Sequence, residues 1–211
     1  LRGKKSRKDY LNELKFPSSS PGLGPSVRSG DFGEILVADY LQWRLGYWVP
    51  RVRWASKANP NESTKGSDVV GFLFARENEA SEDDILTICE VKAGLSSNAG
   101  KDKLQIAVND SAKDHFRMGV SLNFIKQKLY EQREIEDALK VARFQTPIDV
   151  PYETAYQAVA LLTNSRFDTE VITNTEAHSH PNSDQLLLLV IRGKDMMKLA
   201  HSLYKRAADE A

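Results

Sequence analysis

Gly66-Ser67-Asp68-Val69-Val70-Gly71-Phe72 and Ile85-Leu86-Thr87-Ile88-Cys89-Glu90-Val91-Lys92 decide the fold of this chain. The first places an acid at the head of a short apolar run rich in β-branched residues, and the second ends in an acid and a lysine. Both patterns predict strands, and the acid-rich residues 76–84 between them are short enough for a hairpin connection. Side chains alternate along a strand, so Glu90 and Lys92 point to one face and Val91 to the other. With Asp68 on that same face, two carboxylates and one ammonium converge at the sheet. Charges at the ends of otherwise buried strands are costly unless they are paired or hold a metal.

Upstream, residues 31–45 predict a helix. Phe32, Ile35, Leu36, Tyr40 and Trp43 form one apolar stripe, and Val37, Ala38, Leu41 and Leu45 form a second. Such a helix is apolar nearly all round and should be buried. Glu34 lies on the second stripe, either as a first-turn acid favoured by the helix dipole or as a functional carboxylate. Residues 47–54 predict a strand, with Pro50 at its edge or at a bulge, and 56–65 a polar loop.

Downstream, 93–100 reads as a turn-rich loop, and 101–118 and 121–144 as helices. In the second of these Leu122, Ile125, Leu129, Ile135, Leu139 and Ala142 are expected inward, and the charged residues 131–137 form a solvated face. Residues 155–162 and 186–191 predict two more strands, and 196–208 a closing amphipathic helix. The order predicts an α/β fold, a mixed sheet flanked by helices. Residues 1–29 stand apart as a basic segment with a short helix at 8–14 and a Pro/Gly/Ser linker at 16–25, leaving 30–211 as one domain. The early basic residues Arg2, Lys4, Lys5, Arg7 and Lys8 form either a solvated tail or an attraction for phosphate.

The 211 residues can bury a substantial core. With 29 basic and 29 acidic residues, net charge argues neither for nor against a nucleic acid partner, so only local patches can. The lone cysteine, Cys89, excludes an internal disulfide and fits a reducing, cytoplasmic compartment. The longest apolar run, residues 186–191, is far too short for a membrane span, and no apolar signal-peptide core follows Leu1. Neither Gly-x-x-x-x-Gly-Lys nor Gly-x-Gly-x-x-Gly occurs, which argues against nucleotide hydrolysis.

An Asp, 21 intervening residues and then Glu-x-Lys suit metal-assisted phosphodiester hydrolysis. Carboxylate oxygens are hard ligands of the kind Mg²⁺ prefers, and Mg²⁺ commonly takes one or two of them plus water and substrate phosphate. Lys92 could orient the attacking water or hold a phosphate oxygen. Glu34 would add a third carboxylate, and the three acids would balance one lysine and one divalent ion. The rival reading of Glu90 and Lys92 is a surface ion pair. His178-Ser179-His180 could offer two imidazoles to a metal but has no third ligand in sight. Cys89 reads as a core thiol, and Trp43, Trp48 and Trp54 as core or partner surface. Arg51, Arg53 and Lys57 could track phosphates or guard a sheet edge.

The set Glu34, Ser67-Asp68 and Glu90-Val91-Lys92 resembles the PD-(D/E)XK nuclease superfamily, with Ser67 in place of the nominal proline. The resemblance covers roughly residues 30–165 and implies a restriction-endonuclease-like αβββαβ core. It implies Asp68, Glu90 and the Val91 carbonyl as ligands of Mg²⁺ or Mn²⁺, Lys92 as the catalytic lysine, and Glu34 as the helical acid and a further candidate ligand. Gln105 is similar to the glutamine of a Gln-x-x-x-Tyr element, although Asn109 stands where its tyrosine would be.

Residues 30–36 (Gly-Asp-Phe-Gly-Glu-Ile-Leu), 47–50 (Tyr-Trp-Val-Pro) and 66–72 further resemble the HamA family, nuclease effectors of the Hachiman anti-phage system. That resemblance implies a DNA endonuclease working beside a HamB-like helicase partner. The alternatives are a non-catalytic DNA- or protein-binding regulatory module of the same fold and, third, a sequence-specific restriction-type enzyme, for which no separate reading domain is visible.

Overall fold

The computed structural model describes residues 6–62 and 66–211. The expectations for Arg2, Lys4 and Lys5, and for the end of the 56–65 loop, lie outside those residues. Four strands form one mixed sheet: β1 (Val69–Leu73), β2 (Ile85–Gly94), β3 (Glu153–Thr163) and β4 (Leu186–Gly193), in that spatial order. The β1–β2 hairpin is antiparallel, with Val69 opposite Cys89, whereas β2–β3 and β3–β4 are parallel. Parallel neighbours need long crossovers. Between β2 and β3 that crossover is α4 (Lys103–Ser111), α5 (Asp114–Glu131) and α6 (Ile135–Ala142). The predicted α/β class with a helix-flanked mixed sheet is the architecture observed.

Alternation splits the core into two layers. Val69, Cys89 and Val91 pack beneath α2 (Gly24–Arg44) with Phe32, Val37, Ala38 and Leu41. Val70, Phe72, Leu86 and Ile88 face the other way, against Leu122, Ile125 and Leu129 of α5. Strand β3 is covered on both faces and reads as a nearly unbroken apolar run, whereas β4 lies at the sheet edge with Leu187 and Leu188 exposed. Gly33 sits where a side chain would press on Val91, at 3.2 Å from its Cγ1, so α2 rides unusually close to β2.

Several boundaries differ from the sequence expectation. The strand expected at 47–54 contracts to a single bridge between Trp48 and Phe72, and Val52–Ala55 form a short helix, α3. Pro50 has no N–H to continue a ladder, so pairing stops there. Helix α2 begins at Gly24, seven residues before the expected 31, with Pro25 in its first turn, where the missing N–H is harmless. Before it come α1 (Arg7–Tyr10), a wider π-type turn over Leu11–Lys15, and Phe16 edge-on to Tyr204 at 5.0 Å. Of the two stripes expected to bury α2, Trp43 and Leu45 are exposed.

The helices expected at 101–118 and 121–144 divide differently, at Ala112–Lys113 and again at Gln132–Glu134. At the second break Arg133 adopts φ +65°, Glu134 N–H donates to the Leu129 carbonyl, and Arg133 N–H donates to that of Tyr130. This is a Schellman stop without the usual glycine, which is why the sequence did not announce it. The turn rotates α6, so Ile135 and Leu139, expected inward, are exposed, and Ala138 and Val141 are buried instead. After a short helix between β3 and β4, α7 (Thr169–Thr173), the closing helix, α8 (Met196–Asp209), packs against α2.

Candidate active site

Hairpin register places Asp68, the residue before β1, beside Glu90 on β2. Asp68 Oδ2 accepts the Val91 N–H at 2.9 Å, which ties the head of one strand to the end of the next. Lys92 Nζ lies 2.6 Å from Glu90 Oε1 and 2.9 Å from Asp110 Oδ2 on α4. Glu90 and Lys92 therefore share the sheet face covered by α4 and α5, as their spacing of two predicts.

Glu34 arrives from the opposite layer, on α2, and reaches the group around the open end of β1. Its link is Arg53 of α3, whose Nε is 3.4 Å from Glu34 Oε2 and whose Nη2 is 3.2 Å from Asp68 Oδ1. Arg53 Nη1 also donates to the Ser67 carbonyl. Trp54, next in α3, donates its indole N–H to Glu34 Oε2 at 3.2 Å. Lys57 pairs with Asp31 one turn before Glu34. Breaking the expected strand at Pro50 is what allows a helix here, and that helix delivers Arg53 and Trp54 to the acids.

On the other side, Asp114 at the start of α5 is fully buried, and its Oδ1 accepts the Ser67 hydroxyl at 3.2 Å. Ser67 N–H donates to Ser121 Oγ, also on α5, at 3.2 Å. A β-carbon at Gly66 (φ +102°) would stand 3.2 Å from that same hydroxyl.

Burial sets the electrostatics. Desolvation, then repulsion from Asp68, pushes Glu34 up to about 8 and Glu90 up to about 7. Asp68 is also raised by burial, against the pull of Arg53 and the Val91 N–H. Asp114 rises to about 6, mainly through burial. Lys92 is partly desolvated, yet its bonds to Asp110 and Glu90 carry it above the ordinary lysine range.

Asp68 and Glu90 offer hard oxygen donors on adjacent strands, the number and kind that Mg²⁺ uses with water completing its shell. Among the described residues no group of three or more His, Cys, Asp or Glu stands ready to hold a metal by protein ligands alone. Two carboxylates with water completing the shell would suit a hydrated hard cation.

Of the expected site residues, Asp68, Glu90, Val91 and Lys92 come together directly, and Glu34 joins through Arg53. Gln105 does not join them. Its Nε2 donates to Asn109 Oδ1 at 2.9 Å, and it bonds both the carbonyl and the N–H of Glu176, stapling α4 to the loop before β4. His178 is exposed while His180 is buried against Tyr156, so the two imidazoles diverge. Cys89 is a buried thiol in the α2 layer. Sequence reasoning weighed Arg53 as a phosphate contact or a guard of the sheet edge and Trp54 as core or partner surface, and it missed Asp110 and Asp114. A helix start read at Asp114, an acid suited to the first turn of a helix, would have found the last. For Trp54 no signal was available.

The HamA family model matches residues 2–207, nearly the whole chain. No curated protein matches it.

Proposed function

The chain belongs to the HamA family, and on that premise we propose that it is a metal-dependent DNA endonuclease, the effector of a Hachiman anti-phage system acting with a helicase partner. The observation that carries this reading is the pairing of Asp68 and Glu90 across β1 and β2 with Lys92 two residues on, bonded to both Glu90 and Asp110. By its resemblance to PD-(D/E)XK nucleases, Asp68, Glu90 and the Val91 carbonyl would hold Mg²⁺ or Mn²⁺, with Glu34 as a further acid. A bound ion would supply acidification of a water and compensation of charge developing on the phosphate. Lys92 would donate to the attacking water or to a phosphate oxygen. Arg53 bridges Glu34 and Asp68 and keeps both in place while the site is free of substrate. Trp54 orients Glu34.

The alternative is a non-catalytic DNA- or protein-binding module. It is favoured by one observation: Arg53 with Glu34 and Asp68, and Lys92 with Glu90 and Asp110, are closed ion pairs. The two readings separate in cells carrying the chain with its helicase partner. Phage plating should fall with the wild type and recover with Glu90→Ala or Lys92→Ala at equal protein level. Full protection by both variants would leave the binding module standing and sink the nuclease.

A further inference from the structure

We propose that Asp114 is a positioning residue of the site, fixing Asp68 through Ser67 with one carboxylate oxygen and accepting from the hydration shell of the bound cation with the other. The proposal rests on the nuclease reading and extends it to a residue of α5 outside the Asp and Glu-x-Lys signature.

Three observations lead there. First, Asp114 is buried, yet among the described residues its ion pair is a distant one, Arg117 Nη1 at 3.9 Å from Oδ1. Second, Oδ1 is spent on Ser67 Oγ, and Ser67 is held on every side. Its hydroxyl also receives from Ser121, its N–H donates to Ser121 Oγ, and its carbonyl accepts from Arg53. The next residue is Asp68, so any slack at Ser67 would turn the carboxylate away from Glu90. Third, Asp114 Oδ2 is buried and makes no hydrogen bond. An unbonded buried carboxylate oxygen costs stability and is seldom retained without a use.

The use is suggested by its surroundings. One hydrogen bond separates Asp114 from Ser67, the neighbour of Asp68, and its carboxyl group feels the charges of Asp68 and Lys92 and reaches Glu90, so it borders the same site. Mg²⁺ keeps several of its waters when bound, and those waters are hydrogen-bond donors in need of acceptors. Acceptors of this kind hold bound cations in place without touching them.

The Asp114→Asn variant separates this role from simple packing. Asparagine keeps the Oδ1 acceptor for Ser67 but sets an N–H₂ donor where Oδ2 accepts. Calorimetric titration of the full chain with Mg²⁺, beside its thermal melting, should show about 10-fold weaker binding in Asp114→Asn. The melting temperature without metal should be unchanged or higher, because a buried charge is gone. Ser67→Ala, which frees the Asp68 peptide, should weaken binding as well.

A lowered melting temperature with unchanged Mg²⁺ affinity would make Asp114 purely structural and overturn the proposal, leaving the nuclease reading intact. Absence of Mg²⁺ binding by the wild type would overturn both. If Asp114→Asn fails to fold, Ser67→Ala carries the test alone, and wild-type affinity in it would refute the positioning role.

Discussion

Glu34 shows how strongly this site depends on its neighbours. An acid on the buried stripe of α2 survives because the Arg53 guanidinium lies 3.4 Å away and Trp54 donates its indole N–H to it, and still it is held up to about 8. An unfolded glutamate titrates near 4.5, so over the interval up to about 8 the folded chain keeps protons that the unfolded chain has released. Stability contributed by Glu34 and Glu90 is therefore full below pH 4.5 and is lost as pH rises through about 7 to 8. In metal-free buffer the melting temperature should fall between pH 5 and 8.5, and Glu34→Gln should flatten that slope. A profile of the same steepness in the variant would show that Glu34 does not hold its proton. Arg53→Ala removes the cation beside Glu34 and Asp68, leaving them the Trp54 and Val91 N–H donors alone, and should cost about 3 kcal/mol in chemical denaturation. Arg53→Lys should recover only part, since one ammonium cannot reach Glu34, Asp68 and the Ser67 carbonyl together.

At the scale of elements, the site is a junction of α2, α3, α5 and the β1–β2 hairpin. Gly33 allows the approach of α2, so Gly33→Val should push that helix from β2 and cost about 1–3 kcal/mol. The same variant should loosen the Glu34–Arg53 contact, read as a shift in Trp54 fluorescence; an unchanged spectrum and melting curve would show that α2 has room to spare. The hairpin was legible because Val69–Phe72 and Ile85–Val91 carry the period and β-branched composition of strands, and with it came Asp68, Glu90 and Lys92. The stretch 47–54 was not. Its apolar, aromatic composition suggests a strand, but Pro50 stops the ladder after Trp48, and tertiary contacts wind Val52–Ala55 into helix. Arg53 and Trp54 were hidden by that mistake, and Asp114 by a helix break that no glycine or proline marks.

For the whole molecule, membership of the HamA family and the Asp68–Glu90–Lys92 geometry point the same way. The hairpin supplies Asp68, Glu90 and Lys92, the surrounding helices supply Glu34, Arg53, Asp110 and Asp114, and no helix among the described residues is long and apolar enough to cross a membrane. The proposed nuclease should cut only with a divalent cation and only with its lysine. The most direct measurement is conversion of supercoiled plasmid by the purified chain with its helicase partner, in Mg²⁺ and in EDTA, beside Lys92→Ala. Nicking that requires Mg²⁺ and falls at least about 100-fold in Lys92→Ala is the result expected, within the range set by general acid–base and charge-stabilising groups. Equal nicking by Lys92→Ala, or nicking that persists in EDTA, would contradict the account.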